Sequence, residues 1–122
     1  MNEIFIIDNS MDDREFRNYV CSILPKLDFN NIRIEDVRIS DEDKINDNDI
    51  FADKNGFSYT VQTYLNKTVT KKTLNECMKD MEKENVNAGL IVTNTDIAPE
   101  IKEEAKKYSI ELVDRSILKK II

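Results

Sequence analysis

The sequence contains no histidine, which removes every mechanism built on an imidazole, whether a Ser/His or Cys/His nucleophile or a histidine-ligated metal. Cysteine is scarce as well. Cys21 and Cys77 follow no CxxC or Cys/His spacing that would suggest zinc, and both are expected as buried thiols on helices in a reducing cytoplasm. Long apolar runs are also missing. The longest is four residues, Ile4 to Ile7, far short of a secretory core or a membrane span, so the chain is expected in the cytoplasm and away from membranes. With two prolines and two glycines there is no Pro/Gly-rich linker, and no repeat or low-complexity tract interrupts the chain. A length of 122 residues suffices for one core and not for two, so a single domain over residues 1–122 is expected. The chemistry left open belongs to carboxylates, amides, lysines and hydroxyls.

A net charge of −6 argues against a general nucleic-acid coat, because phosphate contacts are made by clustered Lys and Arg. It leaves room for a local basic face. Lys67, Lys71 and Lys72 stand together in the middle of the chain, whereas Lys102, Lys106, Lys107, Lys119 and Lys120 near the end read as solvated surface.

The hydrophobic pattern alternates between helix and strand periods. Ser10 and Asp13 resemble a capping box, after which Phe16, Val20, Ile23, Leu24 and Leu27 share one helical stripe limited by Pro25. Ile32 and Ile34 alternate with charges, and Val37 and Ile39 do so in the opposite phase, so a strand with a bulge near Glu35 and Asp36 is expected. Asp41 to Asp49 reads as an acidic turn. A strand from Asp49 to Asp53, a turn through Lys54, Asn55 and Gly56, and a return strand from Phe57 to Leu65 make a hairpin in which Gln62 and Tyr64 share a face. Leu74, Cys77, Met78 and Met81 give the next helix an apolar stripe that reads as core. Ala88 to Val92 suits a strand covered on both faces, and Pro99 opens a helix carrying Ile101, Ala105 and Tyr108. Ile110 to Val113 is the last strand, followed by a helical turn over Ile117 to Ile121. The order αβββαβαβ implies an α/β fold with a mixed central sheet flanked by helices.

Residues Asp49-Ile-Phe-Ala-Asp-Lys-Asn-Gly-Phe-Ser-Tyr-Thr-Val-Gln62-Thr-Tyr64 resemble the active-site hairpin of the Mrr-like restriction endonucleases, a branch of the PD-(D/E)xK nucleases. That hairpin opens with a catalytic Asp and ends in Val-Gln-x-Lys. Ala88-Gly-Leu-Ile-Val-Thr-Asn94, the helix from Ala98 to Tyr108 and Ile110-Glu-Leu-Val-Asp114 are similar to the family's following strand, helix and final strand. The likeness covers roughly residues 49 to 118, and the first helix resembles the family's opening helix more loosely. It implies a restriction-endonuclease-like fold and metal-dependent hydrolysis of DNA phosphodiesters. Asp49, Gln62 and the carbonyl of Thr63 would be ligands of magnesium or manganese, a donor set suited to an ion that keeps several waters. Lys67, Lys71 and Lys72 would contact nucleic acid.

The chain departs from this pattern at two positions. Tyr64 stands where the family has its lysine, so the catalytic set would be Asp49, Gln62 and Tyr64 with no cation at the third place. Arg17 stands after Phe16, where the family often carries Glu. A lysine at 67, 71 or 72 could reach back to replace the missing one. The competing structural reading makes Asp49 one more turn residue, Gln62 a surface strand glutamine, Tyr64 an aromatic on a half-buried strand, and the lysines a solvated helix start. Two functions follow: a DNA endonuclease with an altered site, acting as a homodimer or beside a partner subunit, or a non-catalytic nuclease-fold module that binds DNA or a partner protein.

Overall fold

The computed structural model describes residues 11–36 and 48–121. Helix α1 (Asp13–Ile23) buries Phe16, Val20 and Ile23, the stripe expected from the 3.6-residue period. Its N-cap is Asp12. The Asp12 side chain accepts from the Glu15 amide at 2.8 Å and the Glu15 carboxylate accepts from the Asp12 amide at 2.9 Å. This reciprocal box satisfies two amides that the helix leaves open, and such a cap is worth about 1 kcal/mol. The Ser10/Asp13 expectation is thereby corrected: Asp13 is already the first helical residue, and Ser10 lies outside the described residues. A 3-10 turn over Leu24–Leu27 carries Pro25 in its first turn, and Asp28, at φ 73°, ends it.

Strands β1 (Asn30–Asp36), β2 (Asn48–Lys54) and β3 (Phe57–Tyr64) form an antiparallel meander. The β1–β2 pairing is irregular between Asn30 and Arg33, whereas Glu35 and Asp36 pair in step with Asp49 and Asn48. Among the described residues there is therefore no bulge at Glu35 and Asp36. Asn31 absorbs the irregularity at φ 52°, a backbone conformation asparagine tolerates, and its amide donates to Asp53 Oδ2 at 2.8 Å. Val37, Ile39 and positions 41–47 of the expected acidic turn lie outside the described residues, and its last two residues, Asn48 and Asp49, open β2 rather than continue a turn.

After β3 come α2 (Lys71–Glu84), β4 (Ala88–Thr93), α3 (Pro99–Lys106), β5 (Ile110–Val113) and α4 (Arg115–Ile121). The sheet order is β1-β2-β3-β4-β5, with β3, β4 and β5 parallel. One face carries α1 and α4: Phe16, Val20, Ile50, Ala52, Val61, Leu90, Val92, Val113 and Leu118 form its core. The other carries α2 and α3, with Leu74, Cys77, Ile91, Ile101, Ala105 and Ile110 in its core and Met78 and Met81 packed against it. Strand β4 is buried along its whole length, which explains its uninterrupted apolar sequence.

Gly89 sets how closely α2 approaches this sheet. A Cβ built there would lie 2.5 Å from Cys77 Sγ and 3.2 Å from Met81 Sδ, and Cys77 is fully buried. Gly89→Ala should consequently destabilise the fold by about 1–3 kcal/mol through overpacking. Urea unfolding monitored by circular dichroism reads this directly, and an unchanged midpoint would show that α2 is free to withdraw.

Candidate active site

The hairpin between β2 and β3 turns at Asn55 and Gly56, both at positive φ, 55° and 83°, and pairs Lys54 with Phe57. Positive φ at both turn residues matches the twist of the flanking strands, so the register is fixed from the turn outward. Its last pair is Ile50 with Val61. Carried one residue further, the same register sets Asp49 opposite Gln62, and residues opposite one another in an antiparallel ladder share a face. Asp49 also pairs with Glu35 of β1 and is half-buried.

Period-two alternation puts Gln62 and Tyr64 on the face covered by α2. Gln62 Nε2 donates to Asp80 Oδ2 on α2, and the Tyr64 hydroxyl donates to Gln62 Oε1 at 2.9 Å. Burial pushes the Tyr64 phenol up to about 12, with Cys77, Glu76 and Asp80 adding to the effect. At neutral pH Tyr64 is therefore a neutral hydrogen-bond donor. Tyr64 also packs against the α2/α3 core, as the structural reading of the residue expected. Thr63 points its side chain to the opposite face by the same alternation and pairs with Val92 of β4.

Asp80 escaped the sequence reading. Its signal is helical spacing: it follows Cys77 by three residues and Glu76 by four, which places it on the flank of the buried stripe of α2. Nothing in the sequence says which strand residue lies beneath it.

Beyond β3, the Asn66 amide donates to Asn94 Oδ1 at 2.7 Å and Asn94 Nδ2 donates to Asn66 Oδ1 at 2.9 Å. The Lys67 carbonyl accepts from the hydroxyls of Thr93 and Thr95. These bonds tie the segment to the end of β4. The side chain of Lys67 is exposed, as are Lys71 and Lys72, which open α2 behind a Thr70 cap. Lys71 also bears on α3. The Tyr108 hydroxyl holds the Glu104 carboxyl below the usual carboxylate range, with smaller contributions from Lys107 and Lys71. Arg17 lies half-buried on α1, whose buried residues pack on the opposite sheet face from Gln62.

The donor types present suit a hard cation. Asp49 offers a carboxylate, Gln62 an amide oxygen whose orientation is fixed by two hydrogen bonds, and Thr63 a carbonyl. Among the described residues no three His, Cys, Asp or Glu side chains converge as a metal cage, so an ion held here would complete its shell with water. A separate groove of about 560 Å³, lined by Tyr59, Ala88, Ile110, Leu112 and Ile117 among others, lies at the opposite end of β3, away from Gln62 and Tyr64. Its carboxylates are already paired, Glu111 with Lys54 and Asp114 with Lys102.

No curated protein matches the sequence. Among solved structures the fold is similar to that of the DNA modification-dependent restriction endonuclease AspBHI, with a TM-score of 0.65 and 12% identity over 87% of this chain. It is also similar to the protein of unknown function AF1548, with a TM-score of 0.55 and 20% identity over 82% of this chain. The match spans only 30% of the AspBHI chain and 61% of the AF1548 chain. At such identities these likenesses establish the fold, a mixed five-stranded sheet flanked by helices as in restriction endonucleases. A family model described as a restriction endonuclease, Mrr_cat, matches residues 8–122, so the chain belongs to the Mrr-type restriction endonuclease family.

Proposed function

We propose that this chain is a metal-dependent DNA endonuclease domain whose cleavage is attenuated by Tyr64. The observation that carries the proposal is the hairpin register, whose last pair, Ile50 with Val61, stops one residue short of Asp49 and Gln62 and supports reading those two as neighbours on one sheet face. In this reading Asp49, the Gln62 amide oxygen and the Thr63 carbonyl hold magnesium or manganese. The ion, when bound, would polarise the attacking water and offset charge on the scissile phosphate. Gln62 and Asp49 orient the site, and Tyr64 can only hold Gln62 Oε1 through its hydroxyl. A lysine there would add a positive charge beside the phosphate, and a phenol flanked by Glu76 and Asp80 cannot.

Lys67, Lys71 and Lys72 are assigned to phosphate contacts rather than to catalysis. Lys71 and Lys72 precede Asp80 by more than two helical turns, about 12–14 Å along the axis. That separation exceeds what four methylenes span toward Gln62. DNA is the proposed substrate, met in the cytoplasm by a single domain over 1–122 acting as a homodimer or beside a partner subunit. Among the described residues no helix is long and apolar enough to cross a membrane. A second reading, a non-catalytic module that binds DNA or a protein, is favoured by one observation: the lysine position is neutral and its nearest charges are carboxylates.

Two outcomes separate these readings. Tyr64→Lys should raise manganese-dependent cleavage of plasmid DNA by roughly 10²–10⁴, the usual size of such a group's contribution, and adding Asp49→Ala should erase the gain. A folded Tyr64→Lys variant that binds manganese and cuts nothing would leave the non-catalytic module standing. Replacing Lys67, Lys71 and Lys72 together by Ala should weaken DNA binding and flatten its salt dependence by up to about three phosphate contacts. Fluorescence anisotropy across a salt series measures both quantities, and unchanged affinity would remove this patch from the DNA face.

A further inference from the structure

We infer that Asp80 is a positioning residue: from α2 its carboxylate holds the Nε2 end of the Gln62 side chain, so that the amide oxygen is the end presented toward Asp49. The inference rests on the reading of Gln62 as a metal ligand. A glutamine amide has two ends of nearly equal size and opposite polarity, and only the oxygen end can ligate a cation. A free side chain would sample both. An ionised carboxylate can only accept, so it bonds the Nε2 end and excludes the flipped orientation. Here the excluding group is Asp80 Oδ2, which takes a hydrogen from Gln62 Nε2. The second constraint lies at the other end, where the Tyr64 hydroxyl donates to Oε1 at 2.9 Å and leaves that oxygen one further lone pair.

One carboxylate oxygen of Asp80 is engaged with Nε2, and the role assigned to Asp80 is exercised through Gln62. The contact joins residues of different elements and exists only because α2 packs tightly on β3 and β4 through Leu74 and Cys77. The residue at the lysine position and the helix above the sheet thus converge on one side chain. This division of labour replaces a cation beside the site with an aligned amide.

The test uses Asp80→Leu, which removes the acceptor, and Asp80→Asn, whose Oδ1 accepts the same hydrogen bond. Manganese affinity is measured by electron paramagnetic resonance, and the Gln62 side-chain amide is followed by ¹H–¹⁵N spectra without metal. Asp80→Leu should lose roughly 10- to 100-fold in manganese affinity, as outer-shell changes do, with Asp80→Asn restoring most of it. The Gln62 amide resonance should move in both variants, further in Asp80→Leu. An unmoved resonance, or unchanged manganese binding in Asp80→Leu, overturns the inference, and so does equal loss in both variants, which would make the charge and not the bond decisive. Should Asp80→Leu fail to fold, Asp80→Asn decides alone: an unmoved Gln62 resonance or a full loss of manganese binding overturns the inference. Asp49→Ala separates the two levels. If it abolishes manganese binding while Asp80→Leu does not, only the role of Asp80 falls; if it binds manganese like the unmodified protein, the metal reading falls and this inference with it.

Discussion

Two residues, Asn55 and Gly56, hold the register on which the candidate site depends. Their positive φ values let the chain reverse within two residues and start the ladder with Lys54 opposite Phe57. Because side chains alternate strictly along a strand, a slip of one residue would turn Gln62 and Tyr64 toward α1 and move Val61 out of the core it shares with Phe16 and Leu90. The buried face therefore enforces the same register that the turn begins. Lys54 adds a long-range tie, since its ammonium bonds both oxygens of Glu111 on β5 at 2.8 Å and lies 4.6 Å from the centre of the Phe29 ring.

The opposite face decides the chemistry. Gly89 allows Cys77 to come against β4, and the close approach of α2 brings Asp80 onto Gln62 and Glu76 near Tyr64. Among these carboxylates Tyr64 stays a neutral phenol and offers only its hydrogen bond to Gln62. In the proposed site the phenol at position 64 and the acidic flank of α2 are thus two sides of one arrangement, which orders Gln62 without a cation beside it.

Much of this architecture was legible because its causes are local. The period of Phe16, Val20 and Ile23, the Asn-Gly turn, the apolar run of β4 and Pro99 at the start of α3 each specify an element through short-range physics, and each element is where the pattern placed it. The misplaced features share another cause. The bulge moved to Asn31 because a long-range bond to Asp53 stabilises that backbone conformation, and the helix cap is Asp12 because Glu15 completes a reciprocal box with it. In the candidate site, the sharing of a face by Gln62 and Tyr64 followed from alternation alone. Asp80 did not, because its meaning comes from packing between residues 18 positions apart. No periodicity reports what lies under a helix flank.

The central claim is that a divalent cation can sit between Asp49 and the oxygen of Gln62 although the family's lysine is absent. A crystal of the protein soaked in manganese, with anomalous difference density recorded, tests this most directly. The expected result is a peak within coordination distance of the Asp49 carboxylate and of Gln62 Oε1, with Nε2 still bonded to Asp80 and water filling the remaining positions. Density confined to other surface carboxylates, or Gln62 and Asp49 pointing away from one another with no peak between them, would contradict it.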